Sequence, residues 1–188
     1  FMEEMCRLKA SQLLEELKLV EPPVDVEGVA GRCGLEVVHV NKGTGFYGQL
    51  LKERRIIEVQ GDNHPHRQRF TIAHEIGEVL LAGRVEQSFI EDASNLMAVS
   101  LLLPRKWFKE DAESLEFDLP TLKRRYSTVS HEVISYRMLD VKPLIITIFD
   151  NGKLYKRKSS YPRRVAQIHP LEMACIKAVS DSMEQVKL

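Results

Sequence analysis

The stretch that decides the fold runs from residue 69 to residue 78 and reads Arg69-Phe70-Thr71-Ile72-Ala73-His74-Glu75-Ile76-Gly77-Glu78. Its hydrophobic residues recur at helical spacing, which predicts a helix over residues 67–81. The last five residues nearly match the H-E-x-x-H motif, in which two histidines one helical turn apart bind one zinc ion. His74 and Glu75 fit that motif, and Glu78 stands where the second histidine would be. The segment therefore predicts a metal site with an altered ligand.

A second helix, predicted over residues 89–102, carries polar side chains at a matching spacing. Glu91 and Asn95 are one helical turn apart on it. Zinc sites built on two successive helices take a third ligand from the second helix, and a polar residue one turn later can orient a histidine ligand. This spacing makes Glu91 a candidate ligand and Asn95 a candidate partner of His74. The alternative is a solvated helix surface, with Glu91 favoured by the helix dipole.

Composition predicts one globular domain over residues 1–188. The chain has 27 basic and 27 acidic residues and is 44% hydrophobic, values that argue against intrinsic disorder. No apolar run approaches the roughly 20 residues of a membrane span, and the acidic N-terminal stretch does not resemble a signal peptide. The three cysteines lie far apart at positions 6, 33 and 175, which favours a reducing compartment. We therefore expect a cytoplasmic protein without membrane association.

Short periodic segments and turn residues predict the remaining elements. The predicted helices are residues 5–19, 25–32, 119–126, 130–139 and one starting at residue 170. A strand is predicted at residues 35–40, and hairpins at residues 49–59 and 143–158. Within the single domain, residues 119–158 are expected to form an accessory helix pair plus hairpin.

Four blocks of the sequence, in order, resemble the ImmA/IrrE family of intracellular metallopeptidases. They are residues 22–37, 67–77, 91–104 and 122–139, and the second block is the most specific. The resemblance implies an α+β, zincin-like fold: a small antiparallel or mixed sheet packed on helices, followed by a helix pair, a hairpin and a final helix. It also implies a cytoplasmic endopeptidase that cleaves a helix-turn-helix repressor of mobile elements, phages or stress responses.

The resemblance assigns roles to individual residues. His74, Glu78 and Glu91 become the metal ligands, Glu75 becomes the catalytic general base, and Asn95 supports His74. One histidine with two glutamates can bind zinc, but oxygen-rich sites also suit manganese, and a site without metal is a further alternative. The sequence therefore leaves two functions open: a metallo-endopeptidase, or a catalytically weakened or inactive peptidase-like module that binds a repressor or another protein.

Three converging carboxylates need compensation by a proton, a metal ion or a cation. Arg67 and Arg69 are the candidate cations in the same stretch of sequence. His64 and His66, which precede the motif, are candidates for an extra nitrogen ligand, although loop histidines of this kind are more often exposed. The substrate is expected to add as a strand beside residues 56–60, and Tyr47 is a candidate for stabilising an oxyanion.

A basic stretch near the C-terminal end raises the question of nucleic-acid binding. Residues 151–164 contain six basic residues and no acidic one. Lysines also keep exposed strand edges soluble, and this second interpretation is favoured. Residues 119–139 are arranged like a helix-turn-helix, but the second predicted helix has few side chains suited to reading bases. We therefore do not expect direct nucleic-acid binding.

Overall fold

The computed structural model describes residues 1–161 and 167–185, with side chains as far as residue 179. The chain forms two compact units, Phe1–Ile134 and Ser135–Leu188. The elements of the first unit are α1 (Met2–Glu16), α2 (Val26–Arg32), β1 (Glu36–Val40), β2 (Gly48–Leu51), β3 (Ile56–Gln60), α3 (Pro65–Leu81), α4 (Ile90–Leu102), α5 (Arg105–Ser114) and α6 (Leu119–Arg125). The later elements are α7 (His131–Met138), which contains the boundary between the units, β4 (Ile145–Asp150), β5 (Lys153–Ser159) and α8 (Pro170–Gln185). Short 3-10 turns occur at Lys52–Arg54 and Gln87–Phe89.

The sheet of the first unit is mixed and has the strand order β1-β3-β2. β1 pairs with β3 in parallel, with Val38 opposite Glu58, and β2 pairs with β3 antiparallel, with Leu50 opposite Ile57. The side chains of Ile57 and Val59 are fully buried, as expected for a central strand. The prediction that residues 56–60 form a free edge is therefore wrong, because β1 and β2 occupy both sides of β3. The edge strand of the sheet on the side of α3 is β2.

Helices α3 and α4 form the centre of the core. Ile72, Ala73 and Ile76 of α3 are completely buried, as are Ala93 and Met97 of α4. The two helices come closest at Gly77. A Cβ atom there would lie 3.1 Å from Met97 Cβ and 3.2 Å from both the Cα and the carbonyl oxygen of Ser94. The absence of a side chain at position 77 thus permits the close helix contact.

Helix α1 covers the opposite side of α4. Its residues Cys6, Ala10 and Leu14 are buried, and the Cys6 thiol donates a hydrogen bond to the carbonyl oxygen of Ala93 at 3.4 Å. Helix α4 is consequently packed between α3 and α1, which explains why so many of its side chains are apolar.

Local sequence signals account for several element ends. The Asp25 side chain accepts a hydrogen bond from the Gly28 backbone N–H at 3.2 Å and caps α2. Gly83 follows the end of α3 with a φ of 70°. Asn151 and Gly152 connect β4 to β5 with φ angles of 47° and 73°, as a tight hairpin turn requires. Each of these ends follows from the conformational preference of the residue that forms it.

Helix α5 was missed by the sequence analysis. Its charged composition leaves only Phe108 and Ala112 fully buried. The ring of Phe108 packs against that of Tyr126, with centroids 5.4 Å apart, and the Tyr126 hydroxyl donates a hydrogen bond to Asp111 at 2.8 Å. Aromatic packing together with a hydrogen bond therefore fixes a helix that has little hydrophobic periodicity.

The second unit contains the predicted hairpin and final helix. Arg157 on β5 forms an ion pair of 2.6 Å with Glu172 on α8, and the hydroxyl of Thr147 on β4 also donates a hydrogen bond to Glu172. The hydrogen bonds from Arg157 and Thr147 lower the pKa of Glu172 to about 2. Three lysines of the basic stretch, at positions 153, 156 and 158, are exposed. Arg163 and Arg164 of that stretch lie outside the described residues.

Candidate metal centre

Three potential ligands converge where α3 meets α4. His74 and Glu78 lie one turn apart on α3, and Glu91 lies in the first turn of α4. One ligand atom from each residue lies within 4.8 Å of the other two. His74 Nε2 is 3.4 Å from Glu91 Oε2 and 3.9 Å from Glu78 Oε1. The structure therefore brings together the three residues that the sequence suggested as ligands.

Asn95 orients the histidine from the next turn of α4. Its side-chain oxygen accepts a hydrogen bond from His74 Nδ1 at 3.1 Å. The contact favours the tautomer protonated at Nδ1, in which Nε2 faces the two carboxylates. Metal-binding histidines are commonly held by such a contact through their second nitrogen.

Glu75 lies beside the three potential ligands in a more buried position, with 7% of its surface exposed. Burial, together with the negative charges of Glu78 and Glu91, raises the pKa of Glu75 to about 7. The positive charge of Lys52 and a backbone hydrogen bond at Leu50 partly oppose that rise in the pKa. Its buried position therefore gives Glu75 a high affinity for a proton.

These residues line a cleft of about 480 Å³ bounded by α3 and β2. The strand approaches the helix closely at Gly48, where a Cβ atom would lie 2.4 Å from Thr71 Cγ2 and 2.7 Å from the Glu58 carbonyl oxygen. Only glycine fits at this point without displacing β2. In the described residues β2 pairs with β3 alone, so its other backbone edge is open beside the cleft.

Lys52 is a residue of the site that was not predicted from the sequence. This residue follows β2 directly, and its Nζ atom lies 3.8 Å from Glu78 Oε2. We had expected Arg67 or Arg69 to compensate the carboxylates. The Arg67 guanidinium instead lies 4.6 Å from the ring centroid of Tyr47, and no ion pair to Glu78 from either arginine occurs in the described part of the chain. The sequence feature that could have indicated this role is the position of Lys52 directly after a strand that precedes α3.

The two loop histidines lie elsewhere. His66 Nε2 is 3.1 Å from the carbonyl oxygen of Ser127 and 3.2 Å from Lys123 Nζ. The His64 ring packs against the His66 ring at an interplanar angle of 52°, with centroids 4.5 Å apart. Neither belongs to the cluster of potential ligands found among the described residues. The structure therefore does not support a role for His64 or His66 as an extra nitrogen ligand. Tyr47 does line the cleft.

The sequence model of one family, Peptidase_M78 (IrrE N-terminal-like domain), matches residues 23–139. The chain belongs to this family. The IrrE N-terminal-like match includes every potential ligand as well as Glu75, Asn95 and Lys52. It confirms the resemblance proposed from the sequence, and the mixed sheet and helices agree with the α+β, zincin-like fold predicted with it.

A solved structure supports the fold of this IrrE-like chain. A Mycobacterium tuberculosis transcriptional regulator superposes with a TM-score of 0.67 at 20% sequence identity. The alignment covers 85% of this chain but only 56% of the regulator, so the chain spans little more than half of that protein. The comparison with curated proteins gave no significant match. In the described residues, no helix has both the length and the apolar character needed to cross a membrane.

Proposed function

We propose that this chain is a metal-dependent endopeptidase of the ImmA/IrrE type, with His74, Glu78 and Glu91 as ligands and Glu75 as general base. The observation that supports it most strongly is the convergence of one imidazole nitrogen and two carboxylate oxygens within 4.8 Å, beside a buried glutamate. The proposed substrate is a protein regulator of the helix-turn-helix repressor class, and the proposed location is the cytoplasm.

The donor set suits a divalent ion. Ligand bonds of about 2.1 Å in tetrahedral geometry place ligand atoms roughly 3.4 Å apart. The His74–Glu91 distance is 3.4 Å and the His74–Glu78 distance is 3.9 Å, so small side-chain movements suffice. Zinc accepts this mixture of nitrogen and oxygen, and the two carboxylates also suit manganese. We expect zinc, with manganese as the alternative.

A bound divalent ion supplies Lewis-acid polarisation of the scissile carbonyl and makes the attacking water more acidic. The Glu75 carboxylate accepts the proton of that water and transfers it to the leaving amide nitrogen. Asn95 keeps His74 in the orientation that presents Nε2. The open edge of β2 can pair with an extended substrate segment, which positions the peptide bond across the cleft. Tyr47 lies at one side of the cleft and is the candidate for stabilising the oxyanion.

One observation favours a second function, a peptidase-like module that binds its partner without cleaving it. Glu78 replaces the second histidine of the motif, and its carboxylate is already paired with Lys52 at 3.8 Å. Two anionic ligands reduce the net positive charge of the ion, and water near it becomes less acidic than in a site with two histidines. Binding through the β2 edge does not require that chemistry.

Calorimetric zinc titration tests the ligand assignment. Glu91→Gln should weaken zinc binding by at least tenfold, because it removes an anionic ligand. Asp92→Asn provides the matched control: it removes the same charge from the same helical turn outside the cluster, and should leave affinity within about twofold, as screened surface charges do. Equal effects of the two substitutions would contradict the assignment of Glu91.

Cleavage of a peptide library by the zinc-loaded protein separates the two functions. We expect the natural protein to cleave, and Glu75→Gln to bind zinc normally but not cleave, because Glu75 is assigned to proton transfer. Glu78→His should bind zinc more tightly and cleave faster. If Glu78→His cleaves and the natural protein does not, the binding module is the correct function. If Glu75→Gln cleaves normally, the proposed mechanism is wrong.

A further inference from the structure

We propose that Lys52 is a counter-ion that competes with the metal ion for Glu78. The lysine stabilises the metal-free site and, for the same reason, lowers the affinity of the site for the metal ion. This inference rests on the proposed metal site and concerns how that site is regulated. It follows from the ion pair between Lys52 and Glu78, the residue that replaces the second histidine of the motif. A neutral histidine at position 78 could not form this ion pair, because it has no carboxylate.

The two oxygens of Glu78 face different partners. Oε1 lies 3.9 Å from His74 Nε2, on the side of the potential ligands, and Oε2 lies 3.8 Å from Lys52 Nζ. The Glu78 side chain is only 18% exposed, whereas that of Lys52 is 63% exposed. A largely buried carboxylate is thus paired with a cation that reaches it from solvent, and that cation can move away without disturbing the core.

The backbone around Lys52 holds the lysine at this place. Leu51 is paired with Ile56 in the sheet, and the following 3-10 turn is closed by a hydrogen bond from the Arg55 backbone N–H to the Lys52 carbonyl oxygen at 3.2 Å. Arg55 has a positive φ of 55°, and its side chain donates hydrogen bonds to the carbonyl oxygens of Gly34 and Cys33 at 2.8 and 2.6 Å. The turn is therefore anchored to the end of α2, which limits where the lysine side chain can reach.

Charge balance explains why such a counter-ion is useful. In the metal-free protein Glu75, Glu78 and Glu91 line the same cleft as His74. Repulsion among the carboxylates destabilises that arrangement, and the ammonium of Lys52 reduces it. A divalent ion reduces it more effectively, but its arrival places a second cation against the same carboxylate. Lys52 and the ion therefore oppose each other.

The test is calorimetric titration of the metal-free full chain with Zn²⁺. Lys52→Gln should raise zinc affinity by about two- to fivefold, the range expected for an exposed ion pair. Lys52→Arg keeps the charge and should bind zinc as the natural protein does. Arg54→Gln is the matched control, because it removes the same charge from the same turn, and among the described residues the ion pair to Glu78 comes from Lys52 and not from Arg54. High salt should reduce the effect of Lys52→Gln, since the lysine is exposed.

A double variant isolates the contact with Glu78. In a Glu78→His background the gain from Lys52→Gln should become smaller, because the shared carboxylate is gone and the charge of Lys52 then acts on Glu75 without a direct ion pair to Glu78. The inference is overturned if Lys52→Gln lowers affinity, if it matches Arg54→Gln in the natural background, or if its gain persists in full with His at position 78. Absence of zinc and manganese binding in the natural protein overturns the proposed metal site itself, and with it this inference.

Discussion

Replacing Gly77 with alanine should destabilise the protein and weaken the proposed metal site together. An added Cβ would lie 3.1–3.2 Å from three atoms of α4, and none of them is the end of a flexible side chain. The two belonging to Ser94 are backbone atoms, and the third is Met97 Cβ. Relief requires α3 and α4 to move apart. Overpacking of this kind costs about 2–3 kcal/mol, against a helix-propensity gain of about 1 kcal/mol for alanine over glycine.

The expected net loss in the free energy of unfolding is therefore about 1–2 kcal/mol, measured by urea denaturation followed by circular dichroism. Gly31→Ala supplies the control. That glycine lies in α2, and apart from its chain neighbours and its own helix backbone no atom lies within 4 Å of the position of its Cβ. Alanine there should therefore stabilise by about 0.5–1 kcal/mol.

The same movement should separate His74 on α3 from Glu91 on α4 and lower zinc affinity in the Gly77 variant only. A Gly77→Ala protein that gains stability as Gly31→Ala does would refute the argument, because it would show that the helix contact tolerates a methyl group. Unchanged zinc affinity in a destabilised variant would refute the link between the helix contact and the site.

Three further predictions concern individual side chains. Ser94→Ala should stabilise the chain by about 1 kcal/mol in urea denaturation, because the fully buried Ser94 hydroxyl has no hydrogen-bond partner among the described residues; a loss of stability would reveal a partner. The Glu172 carboxyl, titrated by NMR, should keep its charge until the pH falls towards 2, so its stabilising contribution is complete above about pH 4.5 and lost as the pH falls through about 2. Arg157→Gln should return that pKa towards 4.5, and a midpoint unmoved by the substitution would exclude the ion pair as its cause. Gly48→Ala should reduce cleavage of extended peptides more than zinc affinity, since the new methyl group would collide with Thr71 and displace β2 while the ligands sit on helices; equal losses would argue against that separation.

The helical part of the site could be predicted because its information is local. His74 and Glu78 share a face of one helix through their spacing, and the Glu91–Asn95 pair repeats that spacing on the next helix. Their meeting follows once two successive helices pack together. The caps and turns at Asp25 and Gly83 were predictable for the same reason, because each depends on the conformational properties of a single residue.

The sheet could not be predicted in the same way. The order of its strands depends on pairing between segments that are distant in sequence, and β3 has the same apolar alternation whether it lies at an edge or in the centre. The partner of Glu78 was missed for a related reason. Lys52 reaches Glu78 on α3 only because β2 packs against that helix. The arginines close to the motif in sequence give no indication of this contact.

The residues that match the IrrE-like family begin at position 23, but the first helix ends before that point, at Glu16. Helix α1 nevertheless buries Cys6, Ala10 and Leu14, and Cys6 bonds to the backbone of α4 at Ala93, two residues from Glu91. The stretch that identifies the chain's relatives is therefore shorter than the stretch that must fold as one piece. Cutting this protein at its family boundary would expose the face of α4 that α1 covers, on the helix that carries Glu91.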